Sequence, residues 1–181
     1  MIPMNSILTF FLLFVIFFQV SSAQQAQFPV IKDFGGIYEI PSATMVPDAK
    51  LDYHIIIDVF SGPESADQIN PALNNVARMI NLHALGGVPP AQIDVVLAIH
   101  GDATVAVLND DAYRERFQMA NPNLPLIEAL SKAGVRLTVC GQSLLGRKID
   151  VKEVTDQIEI ALSMLTTVTT HQLKGYAFLR F

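Results

Sequence analysis

The chain has 181 residues, 51% of them apolar and 16% charged, with a net charge of −5 and a single cysteine. No basic run and no basic stretch interleaved with aromatics is present, which excludes the usual electrostatic footprint of a nucleic-acid-binding protein. One cysteine excludes an internal disulfide and a two-cysteine redox couple, so Cys140 is buried as packing, paired between chains, or kept for chemistry.

Residues 7–18 (ILTFFLLFVIFF) form a continuous apolar block, followed by Ser21, Ser22 and Ala23. An apolar block and then small residues is the pattern of a secretory signal peptide, with cleavage expected after Ala23. The block is short of the ~20 residues a spanning helix needs, so we expect no membrane anchor after cleavage and an exported protein, periplasmic or secreted. Every charged residue lies beyond Ala23. Residues 24–50 hold Pro29, Pro41, Pro47 and the Gly35-Gly36 pair with little periodicity, and read as an extended arm lying over the domain or partly disordered. Residues 51–181 are long enough for one domain with a full core.

Within that domain, residues 52–60 (DYHIIIDVF) make a near-continuous apolar run ended by Ser61, Gly62 and Pro63. Such a run predicts a strand buried on both faces, as in a parallel sheet. Asn70 and Pro71 then open a helix whose Leu73, Val76, Ala77, Ile80 and Ala84 recur at helical spacing before Gly86 and Gly87. On its surface Asn74, Asn75 and Asn81 face either solvent or a subunit interface. Residues 93–100 (IDVVLAIH) are a second buried strand, again ended by glycine. Short helical pieces follow at 105–108 and 111–119, and an amphipathic helix at 124–132 uses Leu126, Ile127 and Leu130. Residues 135–144 (VRLTVCGQSL) carry a β-branched strand to Cys140, with a helix start directly after. Asp150 and Glu153 read as the cap of a long helix with Val151, Val154, Ile158, Leu162 and Leu165 on its inner stripe. Residues 176–181 close the chain as a strand.

Strands alternating with helices predict a parallel sheet with right-handed crossovers and helices on both faces. All strands then point one way, so Asp58, His100 and Cys140, each at or near a strand end, share the edge where ligands of open α/β sheets gather. Backbone N–H groups at the helix start, with Arg136, Arg147 and Lys148 close in sequence, favour a thiolate at Cys140. Gly141, Gln142 and Ser143, with Gly101 after His100, are the candidate anion or substrate turn. Cysteine, histidine and aspartate are the types an activated thiolate needs, since imidazole takes the thiol proton and a carboxylate orients the imidazole. A cysteine hydrolase is therefore one reading. Asp58 alternatively serves as a rim carboxylate, and Cys140 as a small buried hydrophobe in a non-catalytic binding or scaffold protein. His54, His83, His100 and His171 are scattered, none at ligand spacing from another histidine or from the cysteine, so no metal is expected. No phosphate-binding glycine motif is present, and no cofactor is implied.

The strand ending in His100-Gly101, the Tyr113 segment, the Asn-Pro before residues 124–130, the GVRLTVCGQSL stretch and the closing Gly175-Tyr176 together resemble the DsrE/DsrF-like family. The resemblance implies a three-layer α/β/α domain with a mainly parallel sheet of about five strands, assembled as a dimer, trimer or hexamer. It also implies a sulfur-carrier role in which Cys140 bears a persulfide, with sulfur-donor or acceptor proteins as partners.

Overall fold

The computed structural model describes residues 24–181, so the expected signal peptide lies outside the described residues. Five strands, β1 (Tyr53–Val59), β2 (Ile93–Ile99), β3 (Arg136–Cys140), β4 (Glu159–Ala161) and β5 (Ala177–Arg180), form one sheet in the order β4-β3-β2-β1-β5. All four pairings are parallel, so the carboxyl ends of the strands do share one edge. The three central strands are buried on both faces, as their unbroken apolar runs require.

Alternation divides each central strand between two cores. Ile55, Ile57, Val95, Leu97, Leu137 and Val139 face α1 (Pro71–Leu85) and α3 (Leu124–Lys132), together with α2 (Asp110–Phe117). Ile56, Val96 and Ala98 face α5 (Met164–Leu173) through Val168 and Met164. A short helix, α4 (Gly141–Gly146), follows β3 without a break. The chain is thus a three-layer α/β/α fold. α1 starts where the sequence places it, because Asn70 Oδ1 accepts from the N–H groups of Ala72 (2.8 Å) and Leu73 (3.1 Å) and Pro71 fills the first helical position.

Two sequence expectations are corrected. The long helix after Asp150 does not form. Asp150 and Glu153 do cap each other, with Asp150 N–H donating to Glu153 Oε2 at 2.7 Å, but they close only a single 3-10 turn at Val151–Glu153. The chain then extends into β4, because β3 has a free edge and Arg136 clamps Glu159 through three contacts of 2.7–3.1 Å. Val154 and Ile158 of the expected stripe are buried, whereas Val151, Leu162 and Leu165 are exposed. The helix instead begins at Met164, capped by Ser163. Its run of threonines, stiff at χ1 and poor helix formers, hides it from a propensity reading.

The asparagines of α1 are the second correction. Asn81 is fully buried and faces neither solvent nor a subunit. Its Oδ1 accepts from Val30 N–H (3.0 Å) and Ile31 N–H (2.9 Å), and its Nδ2 donates to the carbonyls of Ile31, Phe34 and Gly35 at 3.0–3.2 Å. Asn74 accepts from Gly35 N–H at 2.8 Å. These bonds latch residues 30–35 onto the outer side of α1 and seat Ile31 and Ile37 in the interior. Beyond one antiparallel bridge, Gln27 to Ile37, residues 24–50 carry no regular strand or helix.

Candidate functional site

Cys140 ends β3 and is the N-cap of α4, so its side chain falls on the α5 face of the sheet, in step with Thr138. The sequence places this sulfur on an open rim, but the residue is only 4% exposed. What covers it is polar. Ser163, the cap of α5, stands with Oγ 4.0 Å from Sγ, the Met164 N–H at the first position of α5 points to the sulfur, and Ser143 offers both its hydroxyl and its backbone N–H from α4. Burial pushes the thiol up, but these four donors outweigh it, and the Cys140 pKa lies below the ordinary thiol value. Two converging helix starts therefore stabilise a thiolate inside a nearly closed site.

The basic side chains expected to assist are engaged elsewhere. Arg136 pairs with Glu159, and Arg147 pairs with Asp102 at 2.6 Å. Lys148 is exposed in a left-handed conformation. The electrostatic support of the thiol comes from hydroxyls and backbone dipoles.

His100 and Asp58 do meet. His100 follows β2, and its Nε2 bonds Asp58 Oδ1 on β1, where the carboxylate is 5% exposed. Arg180 of β5 approaches the other carboxylate oxygen at 3.5 Å and stacks its guanidinium 5.1 Å from the Phe60 ring centroid, while His100 leans on the same ring. With an ionised Asp58 accepting from Nε2–H, Nδ1 is the lone-pair nitrogen of a neutral ring. No hydrogen bond joins His100 to Cys140 among the described residues. The three residues share the strand-end edge, yet the structure joins only two of them and supplies the thiol from α4 and α5.

The turn residues are placed by close packing. Gly101 adopts φ +56° beneath Phe60, where a Cβ would collide with the ring. A Cβ on Gly141 would stand 2.9 Å from the Ala161 carbonyl, so glycine lets α4 lie against the end of β4. Gln142 is exposed, and Ser143 alone of the three reaches the thiol. Ser163, Met164, Arg180 and Phe60 escape the sequence reading. For Ser163 the available signal is a serine directly before a ten-residue helix, masked because the preceding strand is taken as helix.

The other histidines lie apart from this edge. His54 and Tyr176 both bond Asp94, at 3.1 and 2.5 Å, near the amino ends of the strands, and His83 bonds the Met79 carbonyl. Among the described residues no three histidine, cysteine or acidic side chains are grouped to hold a metal, and no helix is long and apolar enough to cross a membrane.

A family model, the DsrE/DsrF-like family, matches residues 54–181. No curated protein matches the chain. Two solved structures share the fold: the protein of unknown function MTH1491 from Methanobacterium thermoautotrophicum and the ychN protein from E. coli. The first is 17% identical with a TM-score of 0.52, over 72% of this chain and 100% of its own. The second is 22% identical with a TM-score of 0.50, over 71% of this chain and 99% of its own. The family match leaves the arm outside.

Proposed function

Because the chain belongs to the DsrE/DsrF-like family, we propose that it is a sulfur carrier or thiol-redox protein acting through Cys140, which accepts sulfane sulfur as a persulfide. The observation that carries this reading is the set of donors from Ser143, Ser163 and the Met164 N–H around one lowered thiol. A thiolate is the nucleophile, and the terminal sulfur of the persulfide it forms is itself an anion that the same donors can hold. His100, fixed by Asp58 at the neighbouring strand end, takes the supporting place as a proton acceptor at that edge. Intact-mass measurement after incubation with polysulfide tests this: one added sulfur of about 32 Da on the native chain and none on Cys140→Ser is expected. An unmodified native chain refutes it.

Two further properties belong to the same proposal. The apolar block before Ala23 supports export of the protein. The exposed Leu162, Leu165 and Leu173 beside an uncapped sheet edge support assembly as a homo-oligomer, which light scattering checks. The near-complete burial of Cys140 favours a second reading, a non-catalytic oligomeric binding protein in which the cysteine is packing. That reading requires thiol labelling only on unfolding, whereas the carrier reading requires labelling of the native protein near neutral pH.

A further inference from the structure

α5 packs on β1 and β2, and between it and the β3–β4 half of the sheet runs a groove of about 250 Å³. Thr138 forms its floor, Ala161 its outer wall, and Thr166, Thr167 and Thr170 of α5 its inner wall. Each of these leads to the sulfur. Thr138 and Cys140 lie two residues apart on one face of β3, and Ala161 is the ladder partner of Cys140. Thr166 and Thr167 both donate to the carbonyl of Ser163 at 3.0 Å, the residue whose hydroxyl faces Sγ. Cys140 thus sits at the upper end of the groove.

The route over the strand ends is closed by comparison. α4 starts on Cys140 itself, and its first residue packs so tightly on the Ala161 carbonyl that no side chain fits between them. A reagent meeting a sulfur in a residue 4% exposed therefore arrives along the groove.

We propose that this groove is the entrance to Cys140 and that it limits the sulfur source to small inorganic sulfane donors such as thiosulfate or polysulfide; the donor class rests on the carrier reading above. The groove has the volume of about eight water molecules, enough for a compact anion and too little for a polypeptide segment. A protein cysteine would have to bring its Cα to roughly disulfide range, about 4–7 Å, of the Cys140 Cα, with its backbone passing between α5 and β4. With thiosulfate the step balances without an oxidant. The Cys140 thiolate attacks the outer sulfur, a new S–S bond forms as the S–S bond of thiosulfate breaks, and sulfite leaves with the electron pair. The product is the Cys140 persulfide anion.

The test uses the whole protein, in which every thiol signal belongs to Cys140. Thr170→Trp and, independently, Thr166→Phe fill the groove from the exposed side of α5, while Leu145→Trp adds the same bulk to the exposed side of α4. Alkylation by iodoacetamide and persulfide formation by thiosulfate or polysulfide are followed by intact mass. Each groove variant is expected to slow both by about tenfold with the pH midpoint of alkylation unmoved, because access and not ionisation has changed. Leu145→Trp is expected to stay within about twofold of the native chain. Slowing by Leu145→Trp greater than by the groove variants overturns the entrance. A protein-borne persulfide that loads the native chain as fast as thiosulfate overturns the size limit and leaves the carrier reading standing. Alkylation that follows the groove variants while neither inorganic donor adds sulfur overturns the donor class together with the carrier reading, and supports the entrance.

Discussion

The latch formed by Asn81 allows a quantitative expectation. In Asn81→Leu the side-chain volume is nearly kept, but Val30 N–H and Ile31 N–H lose their acceptor and three carbonyls lose a donor. A buried donor left unpaired costs about 1–3 kcal/mol, so two of them predict a loss of about 2–6 kcal/mol if the arm stays in place. Releasing the arm to water instead exposes Ile31 and Ile37, each now fully buried and each contributing about 1.5–3 kcal/mol by burial. The two routes cost similar amounts, so the variant is expected to lose about 3 kcal/mol, a large part of a typical 5–15 kcal/mol total. The loss is expected to fall on the arm first. Denaturant melts give the global value, and amide exchange of residues 26–37 gives the local one, expected to quicken by roughly two orders of magnitude at about 1.4 kcal/mol per tenfold. Cys140 alkylation is expected to stay unchanged, since the arm lies across the sheet from α5. A loss below about 1 kcal/mol with unaltered exchange refutes the latch.

The donors around the sulfur and the carboxylates at the far end of the sheet give two more expectations. Ser163→Ala removes a donor from the thiolate, so the pH midpoint of Cys140 alkylation is expected to move up from its lowered native position, with Ser163→Thr restoring it; an unmoved midpoint refutes the assignment. For Asp94, burial pushes the carboxyl up but the Tyr176 and His54 bonds outweigh it, and for Glu159 the Arg136 bonds lead; both lie below their unfolded values. Their stabilisation is therefore present above the unfolded carboxylate range and lost as pH falls through the folded values. Asp94→Asn is expected to flatten the acid limb of stability measured by urea melts, and an identical limb refutes the contribution.

The fold was largely legible in the sequence because its central strands are continuous apolar runs and its first helix carries both a cap and a proline. Legibility stops at residues 150–173. There an apolar spacing compatible with a helix competes with the free edge of β3, and long-range pairing decides the outcome. The site suffers from the same blind spot. Asp58 and His100 are found from strand ends alone, but the partners of Cys140 come from a helix that threonines disguise. Exposure is misjudged for a related reason: a residue that ends a strand is taken to open on solvent, whereas α4 and the start of α5 close over this one.

The donors at the sulfur come from positions 143, 163 and 164, and two of the three belong to the helix that precedes the last strand. During synthesis the cysteine leaves the ribosome well before that helix can dock. A nascent chain accordingly carries an unremarkable thiol, and chemical readiness arrives only with the closing stretch of the polypeptide. Premature termination, or any lesion that lifts this helix from the sheet, silences the sulfur without touching it.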